Sequence, residues 1–194
     1  MIAAALKWIS DVDGFLELVD QRKLPGEFIK LQCRDVEQIY DAIKTLAVRG
    51  APAIGVAAAY GLVLATQDLA GNSSLKDGLS VLSKSSEYLA SSRPTGANLF
   101  WALDRVRRRA EAFVAGKPKA KLQELREVVF DEANAICQED VDMCRRIGEN
   151  GEKFIKDGAG VLTHCNAGAL ATAGQGTALS VMFEAHKKGK RFKV

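Results

Sequence analysis

The stretch AGVLTHCNAGALATAGQGTALSVMFEAHKKGKRFKV, residues 159–194, carries the clearest indication of the fold. Its first six residues form a short apolar run that predicts a strand, and residues 175–188 have the pattern of a helix. Gly189 suits the C-terminal cap of that helix, and KRFKV begins a second predicted strand. A strand, a helix and a strand in this order predict two parallel strands joined by a crossover helix.

Such a unit cannot cover both faces of its own sheet, and parallel sheets are normally buried on both faces. The remaining strands must then come from a longer polypeptide or from another chain. We therefore expect an α/β protein with a small N-terminal β-hairpin and a helical domain over residues 1–150. Residues 151–194 would begin a Rossmann-like parallel sheet that is incomplete in this chain.

The N-terminal part predicts a hairpin and then helices. FLELVDQRK and EFIKLQCRD alternate apolar and polar residues around a Pro-Gly turn, as paired strands do. Asp35 would cap a first helix that has Leu46 on its apolar face and ends at Arg49 and Gly50.

Four more helices are expected before residue 150. Small apolar side chains predict that the first of them is buried, and Thr95 has a side chain suited to capping the third. Met143 lies near heptad spacing with the apolar residues of the fourth. The expected ranges are Pro52 to about Thr66, residues 75–92, about Gly96 to Val114, and residues 120–150.

Composition excludes several classes of protein. The chain has 194 residues, of which 47% are apolar and 26% charged, so it reads as a globular protein and not a disordered one. Its net charge of +3 does not predict nucleic-acid binding, but it suits a small anionic substrate. No run is long and apolar enough for a membrane span, and the start lacks the features of a signal peptide. A cytoplasmic protein with no membrane partner is expected.

The sequence does not predict a metal or a cofactor. No cluster has metal-ligand spacing, and the glycines after residue 167 do not follow the dinucleotide pattern. The four cysteines include no C-x-x-C pair, so we expect reduced thiols.

Two arginines precede predicted helix starts. In VRGAP, residues 48–52, the amides of Gly50 and Ala51 and the guanidinium of Arg49 could bind a phosphate. SRPTG, residues 92–96, repeats the arrangement with Arg93. A tight turn between helices with a solvated arginine is the alternative explanation of VRGAP, and both interpretations stay open.

Cys165 follows the first predicted strand of the opening stretch. Ligands of parallel α/β sheets collect at the carboxyl ends of strands, so its thiol is a candidate catalytic group. His164 would point to the opposite face and is not its expected partner. The alternative role for Cys165 is packing in the core.

Four blocks together resemble the methylthioribose-1-phosphate isomerases: VRGAPAIGVAAAYG, RPTGANLFWAL, EDVDMCRRIGENG and VLTHCNAGALATAGQGTAL. Their superfamily includes ribose-1,5-bisphosphate isomerases and the regulatory α, β and δ subunits of translation initiation factor 2B. The resemblance implies that 5-methylthioribose 1-phosphate is converted to 5-methylthioribulose 1-phosphate, in methionine salvage and without a cofactor. It also implies that Arg49, Gly50, Ala51 and Arg93 bind the substrate and that Cys165 is catalytic.

Members of that family are nearly twice as long as this chain and are usually dimers. Their catalytic aspartate, a substrate-binding glutamine and an Asn-Lys pair match no residue here. We expect residues 1–194 alone to be inactive, as a truncated chain, an incomplete gene model, or one half of a protein whose C-terminal half is a separate chain. A homodimer is the expected assembly.

Two other functions remain open on these residues. A ribose-1,5-bisphosphate isomerase would use the same arginines and cysteine with a polar pocket for a second phosphate. A non-catalytic regulatory subunit would need neither Cys165 nor both Arg49 and Arg93, so their joint presence favours an enzyme.

Overall fold

The structure is a computed structural model that describes residues 4–194. That part of the chain contains three strands, six α-helices and two short 3-10 helices. No helix in it is long and apolar enough to cross a membrane. The elements are β1 (Leu6–Ile9), β2 (Phe15–Val19), β3 (Lys30–Cys33), α1 (Val36–Lys44), α2 (Ala51–Gln67), α3 (Leu75–Ser91), α4 (Ala97–Gly116), α5 (Leu122–Gly151) and α6 (Ala178–Lys187), with the 3-10 helices at Glu152–Phe154 and Ala169–Ala171.

The strands form an antiparallel sheet in the order β1-β2-β3. Leu16 of β2 pairs with Trp8 on one side and with Cys33 on the other. Leu16 and Leu18 are buried, whereas Glu17 between them forms an ion pair with Lys30, so the sheet buries one face. The predicted hairpin is confirmed, and β1 adds a strand that was not predicted.

Helix α1 begins as predicted and ends early. The Asp35 carboxylate accepts a 2.8 Å hydrogen bond from the Gln38 N–H, which confirms the cap. The helix ends at Lys44, so the predictions that it reaches Arg49 and carries Leu46 on its apolar face are wrong. Leu46 has a left-handed φ of 61° and is 42% exposed, because the chain has already left the helix there.

Helix α2 is the centre of the core, as its small apolar residues predict. Every residue from Ala53 to Thr66 is buried, with α1, α3, α4 and α5 packed around the helix. Its glycines allow close approach: a Cβ on Gly55 would stand 2.9 Å from the carbonyl oxygen of Asn98. The beginnings of α2 and α4 therefore lie side by side.

Two details of the later helices differ from the predictions. Gly96, and not Thr95, occupies the position before α4, because the Gly96 N–H closes a turn on the carbonyl of Arg93 and leaves Thr95 exposed one residue too early. Met143, which was predicted to share the apolar face of α5, is instead 42% exposed. The C-terminal part of α5 turns Cys144 and Gly148 inward, since Gly148 lies against the backbone of Ser180 in α6.

The C-terminal residues form the predicted parallel pairing, but over fewer residues than predicted. The Val161 N–H donates to the Lys193 carbonyl at 2.8 Å, and the Lys193 N–H donates to the Ala159 carbonyl at 2.9 Å. Gly160 and Lys193 form an isolated parallel bridge, so the predicted strand AGVLTH is not a regular strand. Within residues 4–194 no third strand pairs with these two segments to extend the sheet. The Rossmann-like continuation of this sheet stays a prediction.

Helix α6 begins at Ala178 and not at residue 175 as predicted. Gly176, with a φ of 103°, instead forms an isolated bridge with Gly168, which holds the preceding residues out of the helix. Ile155, Met182 and Ala185 form an apolar cluster of their own, apart from the main core around α2.

Candidate functional site

The turn before α2 lies against a segment from the far end of the chain. Gly50 has a φ of 94°, and a Cβ built on it would stand 2.4 Å from the Cα of Ala171. Both the backbone conformation and the close contact require glycine. The contact joins the start of α2 to the 3-10 helix that ends six residues after Cys165.

Arg49 and the same segment share a partner in Gln21. An Nη of Arg49 donates a 3.0 Å hydrogen bond to the Gln21 carbonyl, and the Gln21 side-chain amide donates at 2.7 Å to the carbonyl of Leu170. Gln21 itself is buried, while Arg49 and Ala51 are exposed. Within residues 4–194 the bond to Gln21 is the one hydrogen bond of a guanidinium that has five N–H donors, and Arg49 directly precedes the residues that begin α2.

Cys165 is exposed, in contrast to the alternative of core packing. It follows residues 161–164, which form no regular secondary structure, and has a left-handed φ of 67°, so the chain turns at the thiol. Cys33 and Cys144 are buried and Cys137 is half-buried. Burial raises the pKa of Cys33 to about 11, so its thiolate is suppressed.

Arg93 lies in the turn that precedes α4. It is half-buried, and its side chain makes no hydrogen bond or ion pair with any residue from 4 to 194. The contact between Gly55 and Asn98 sets the start of α4 next to that of α2. Two neighbouring helix N-termini are thus each preceded by an arginine.

Asp140 was not among the predicted site residues. It is only 5% exposed, and its Oδ2 accepts a 2.6 Å hydrogen bond from the N–H of Ala173. Its other oxygen, Oδ1, is buried without a partner among the described residues, and burial raises the pKa of the carboxyl. The spacing of Ile136, Asp140 and Cys144 along one helical stripe was the signal that could have found it.

A cleft of about 470 Å³ opens between α2, α4 and α5. It begins in the first turns of α2 and α4, at Pro52 and Asn98, and reaches Asp140 and Met143 on α5. Within residues 4–194, no group of three or more His, Cys, Asp or Glu side chains could hold a metal ion.

Residues 47–194 match the Initiation factor 2 subunit family. The chain belongs to this family. The membership confirms the resemblance that was drawn from the four sequence blocks. It also agrees with the α/β architecture, in which a small antiparallel sheet accompanies mostly helices.

The individual proteins that this chain resembles have different names. The 5-deoxyribose 1-phosphate isomerase of Moorella thermoacetica is 50% identical over 187 residues, which are 96% of this chain and 52% of that protein. The crystal structure of 5-methylthioribose 1-phosphate isomerase from Pyrococcus horikoshii is 36% identical, has a TM-score of 0.85, and is matched by 97% of this chain over 51% of its own.

A third similar protein is the translation initiation factor eIF-2B subunit delta from A. fulgidus. Its crystal structure is 39% identical, has a TM-score of 0.84, and is matched by 98% of this chain over 53% of its own. The chain therefore spans about half the length of the proteins it resembles.

Proposed function

We propose that this chain supplies the phosphate-binding residues and the reactive thiol of a sugar-1-phosphate isomerase whose substrate is 5-methylthioribose 1-phosphate. The contact between Gly50 and Ala171 carries the proposal. It joins the arginine-bearing start of α2 to the segment that follows Cys165. Phosphate-binding groups and a thiol on adjoining segments suit a reaction at the carbon that bears the phosphate.

In this proposal the phosphate binds at two helix starts. The first N–H groups of a helix have no partner within the helix and carry partial positive charge. Gly50 and Ala51 supply such amides at α2, and Arg49 and Arg93 supply guanidinium donors whose one hydrogen bond within residues 4–194 joins Arg49 to the Gln21 carbonyl. Several charge-assisted hydrogen bonds would then converge on one dianion.

The chemistry requires an acid and a base. A phosphate on the anomeric oxygen prevents spontaneous ring opening, so the ring oxygen must receive a proton while the phosphate stays bound. A hydrogen must then pass from C2 to C1 while a base removes the proton of the C2 hydroxyl, so that C2 becomes the carbonyl carbon of the ketose. The exposed Cys165 thiol is suited to one of these roles, and a positioned acid or base contributes about 10²–10⁴-fold.

A second catalytic group is expected outside the matched half. The resemblance assigns the catalytic aspartate to a part of the relatives that this chain does not span. Residues 1–194 expressed alone should therefore bind the sugar phosphate weakly and show no turnover.

The test is an assay of the protein at its natural length. It should convert 5-methylthioribose 1-phosphate to the ketose, with the product followed by NMR. A protein that releases no ketose from this substrate or from 5-deoxyribose 1-phosphate, at any concentration tested, overturns the isomerase proposal.

The second candidate is a non-catalytic regulatory subunit. The observation that supports this candidate is the 39% identity to the protein named as subunit delta of an initiation factor. A regulatory subunit would have no need for the exposed Cys165 thiol or for the guanidinium groups of Arg49 and Arg93. Absence of turnover, together with capture of a defined initiation-factor complex, would favour the regulatory subunit.

The proposal also includes a domain boundary near residue 150 and a homodimer. The separate apolar cluster of Ile155, Met182 and Ala185 supports the boundary. Limited proteolysis would locate the boundary, and light scattering at the natural length would give the number of subunits.

A further inference from the structure

The cleft between α2, α4 and α5 has mainly apolar walls. Pro52 and Val56 line it from α2, Trp101 from α4, and Ile136 and Met143 from α5. Trp101 is 49% exposed and Met143 is 42% exposed. Large apolar side chains around a concave surface are typical of a ligand site and not of a solvated helix face.

Besides Asp140, two charged side chains line the cleft, Glu139 and Arg146, and neither offers a free charge in its interior. The Glu139 carboxylate is occupied by Arg105, whose Nη2 donates to it at 2.7 Å. Arg146 is exposed at the edge, where water can solvate it. Among residues 4–194, Arg146 is thus the one cation that lines the cleft, and no cluster of cations is present there to bind a second phosphate.

One buried polar atom at the cleft has no partner. Asp140 lines the cleft, and its Oδ1 is buried and accepts no hydrogen bond from residues 4–194. Buried carboxylate oxygens are costly unless they are hydrogen-bonded. An apolar cleft with one unpartnered acceptor suits a ligand that combines a hydroxyl group with an apolar substituent.

The cleft adjoins the proposed phosphate site. Pro52 is three residues from Arg49, at the start of α2. The loop that contacts Gly50 through Ala171 also reaches Asp140 through the Ala173 N–H. A sugar whose phosphate is held at the helix start would extend its other end toward the cleft.

We propose that this cleft binds the C5 substituent of the sugar phosphate and determines which 5-substituted sugar the protein accepts. The inference rests on the proposed function and names the specificity site within it. A methylthio group is uncharged, apolar and polarisable, and its sulfur is suited to contact with the Trp101 ring and the Met143 thioether. A phosphate at C5 would lose its hydration and would meet Arg146 as the one cation of the lining in the described part of the chain.

Affinity for three sugars tests the proposal in the protein at its natural length. The ligands are 5-methylthioribose 1-phosphate, 5-deoxyribose 1-phosphate and ribose 1,5-bisphosphate, and the readout is calorimetry. The wild type should bind the methylthio sugar about 10-fold or more tightly than the 5-deoxy sugar, which is the scale for small apolar groups in a pocket. The bisphosphate should bind no better than the 5-deoxy sugar.

Trp101→Ala and Met143→Ala should each bring the affinities for the methylthio and 5-deoxy sugars to within about 3-fold of each other, since a hydrophobic pocket discriminates through the apolar contact it makes. Phe100→Ala is the matched control, because Phe100 is 43% exposed on the same helix as Trp101 and does not line the cleft. The control should keep the wild-type preference.

An unchanged preference in both cleft variants, an equal loss of affinity for both sugars, or no binding of any of the three by the wild type overturns the proposal. The proposed function fails by a different result. If the wild type binds the methylthio sugar with the expected preference and the cleft variants remove it, yet no ketose forms, the cleft assignment stands and the isomerase does not.

Discussion

The Cα of Ala171 lies directly against Gly50, so close that a Cβ on the glycine would stand 2.4 Å from it. This contact fixes the turn before α2 to a segment more than a hundred residues later in the chain. A single methyl group at Gly50 would separate the two, which makes the contact open to experiment.

Gly50→Ala should destabilise the protein by about 2–4 kcal/mol, because the new side chain meets both a positive φ and a backbone overlap. Urea unfolding measures the loss. Gly71→Ala is the matched control, since nothing lies within 4 Å of a Cβ there, and it should change stability by no more than about 0.5 kcal/mol. Similar losses in the two variants would contradict the close contact.

Asp140→Asn should alter how stability depends on pH. Burial raises the pKa of Asp140 above its value in the unfolded chain, so the folded state holds this proton over a pH window in which the unfolded state has lost it. Wild-type stability should therefore fall as the pH rises from about 4 through the raised pKa. The Asn variant lacks this decline and should gain relative to the wild type toward pH 7.

Urea unfolding at several pH values from 4 to 7 measures the difference. Asp140→Ala serves as a control that also removes the acceptor for the Ala173 N–H, and it should be less stable than the Asn variant throughout. Parallel wild-type and Asn curves would rule out a raised pKa at this carboxyl.

Cys165→Ser, in the protein at its natural length, should lower kcat by about 10²–10⁴-fold with little change in stability, because the side chain is exposed and is proposed as an acid or base. Steady-state kinetics with 5-methylthioribose 1-phosphate gives kcat. His164→Gln, at the exposed neighbouring residue, should keep most of the activity. A near-normal kcat in the serine variant would remove Cys165 from the mechanism.

Arg93→Ala should mainly raise KM. Loss of hydrogen bonds to a charged group costs about 1.5–3 kcal/mol, which corresponds to roughly 10–150-fold in KM with a smaller effect on kcat. Arg108→Ala, on the helix that follows Arg93, is the control, since its side chain is 76% exposed and pairs with Asp104 away from the cleft. An equal KM in the two variants would show that Arg93 does not bind the phosphate of the substrate.

Local features of the fold were readable from the sequence. Asp35 caps α1, and the run of small apolar residues that begins near Pro52 forms a buried helix, because capping and burial depend on nearby residues and on periodicity. The end of α1 and the cap of α4 were predicted wrongly. A turn closed by backbone hydrogen bonds at Gly96 displaced the better side-chain cap of Thr95.

For the candidate site, the sequence by itself determined which residue types are present, and it predicts the roles of Arg49, Gly50, Ala51, Arg93 and Cys165, which stay predictions. Only the tertiary structure decided that Gly50 meets Ala171, that Asp140 is buried with one oxygen unpartnered among residues 4–194, and that Asp140 and Pro52 line one mainly apolar cleft. Residue type fixes what a side chain can do chemically. Contacts between distant segments depend on how helices pack, which no local pattern encodes.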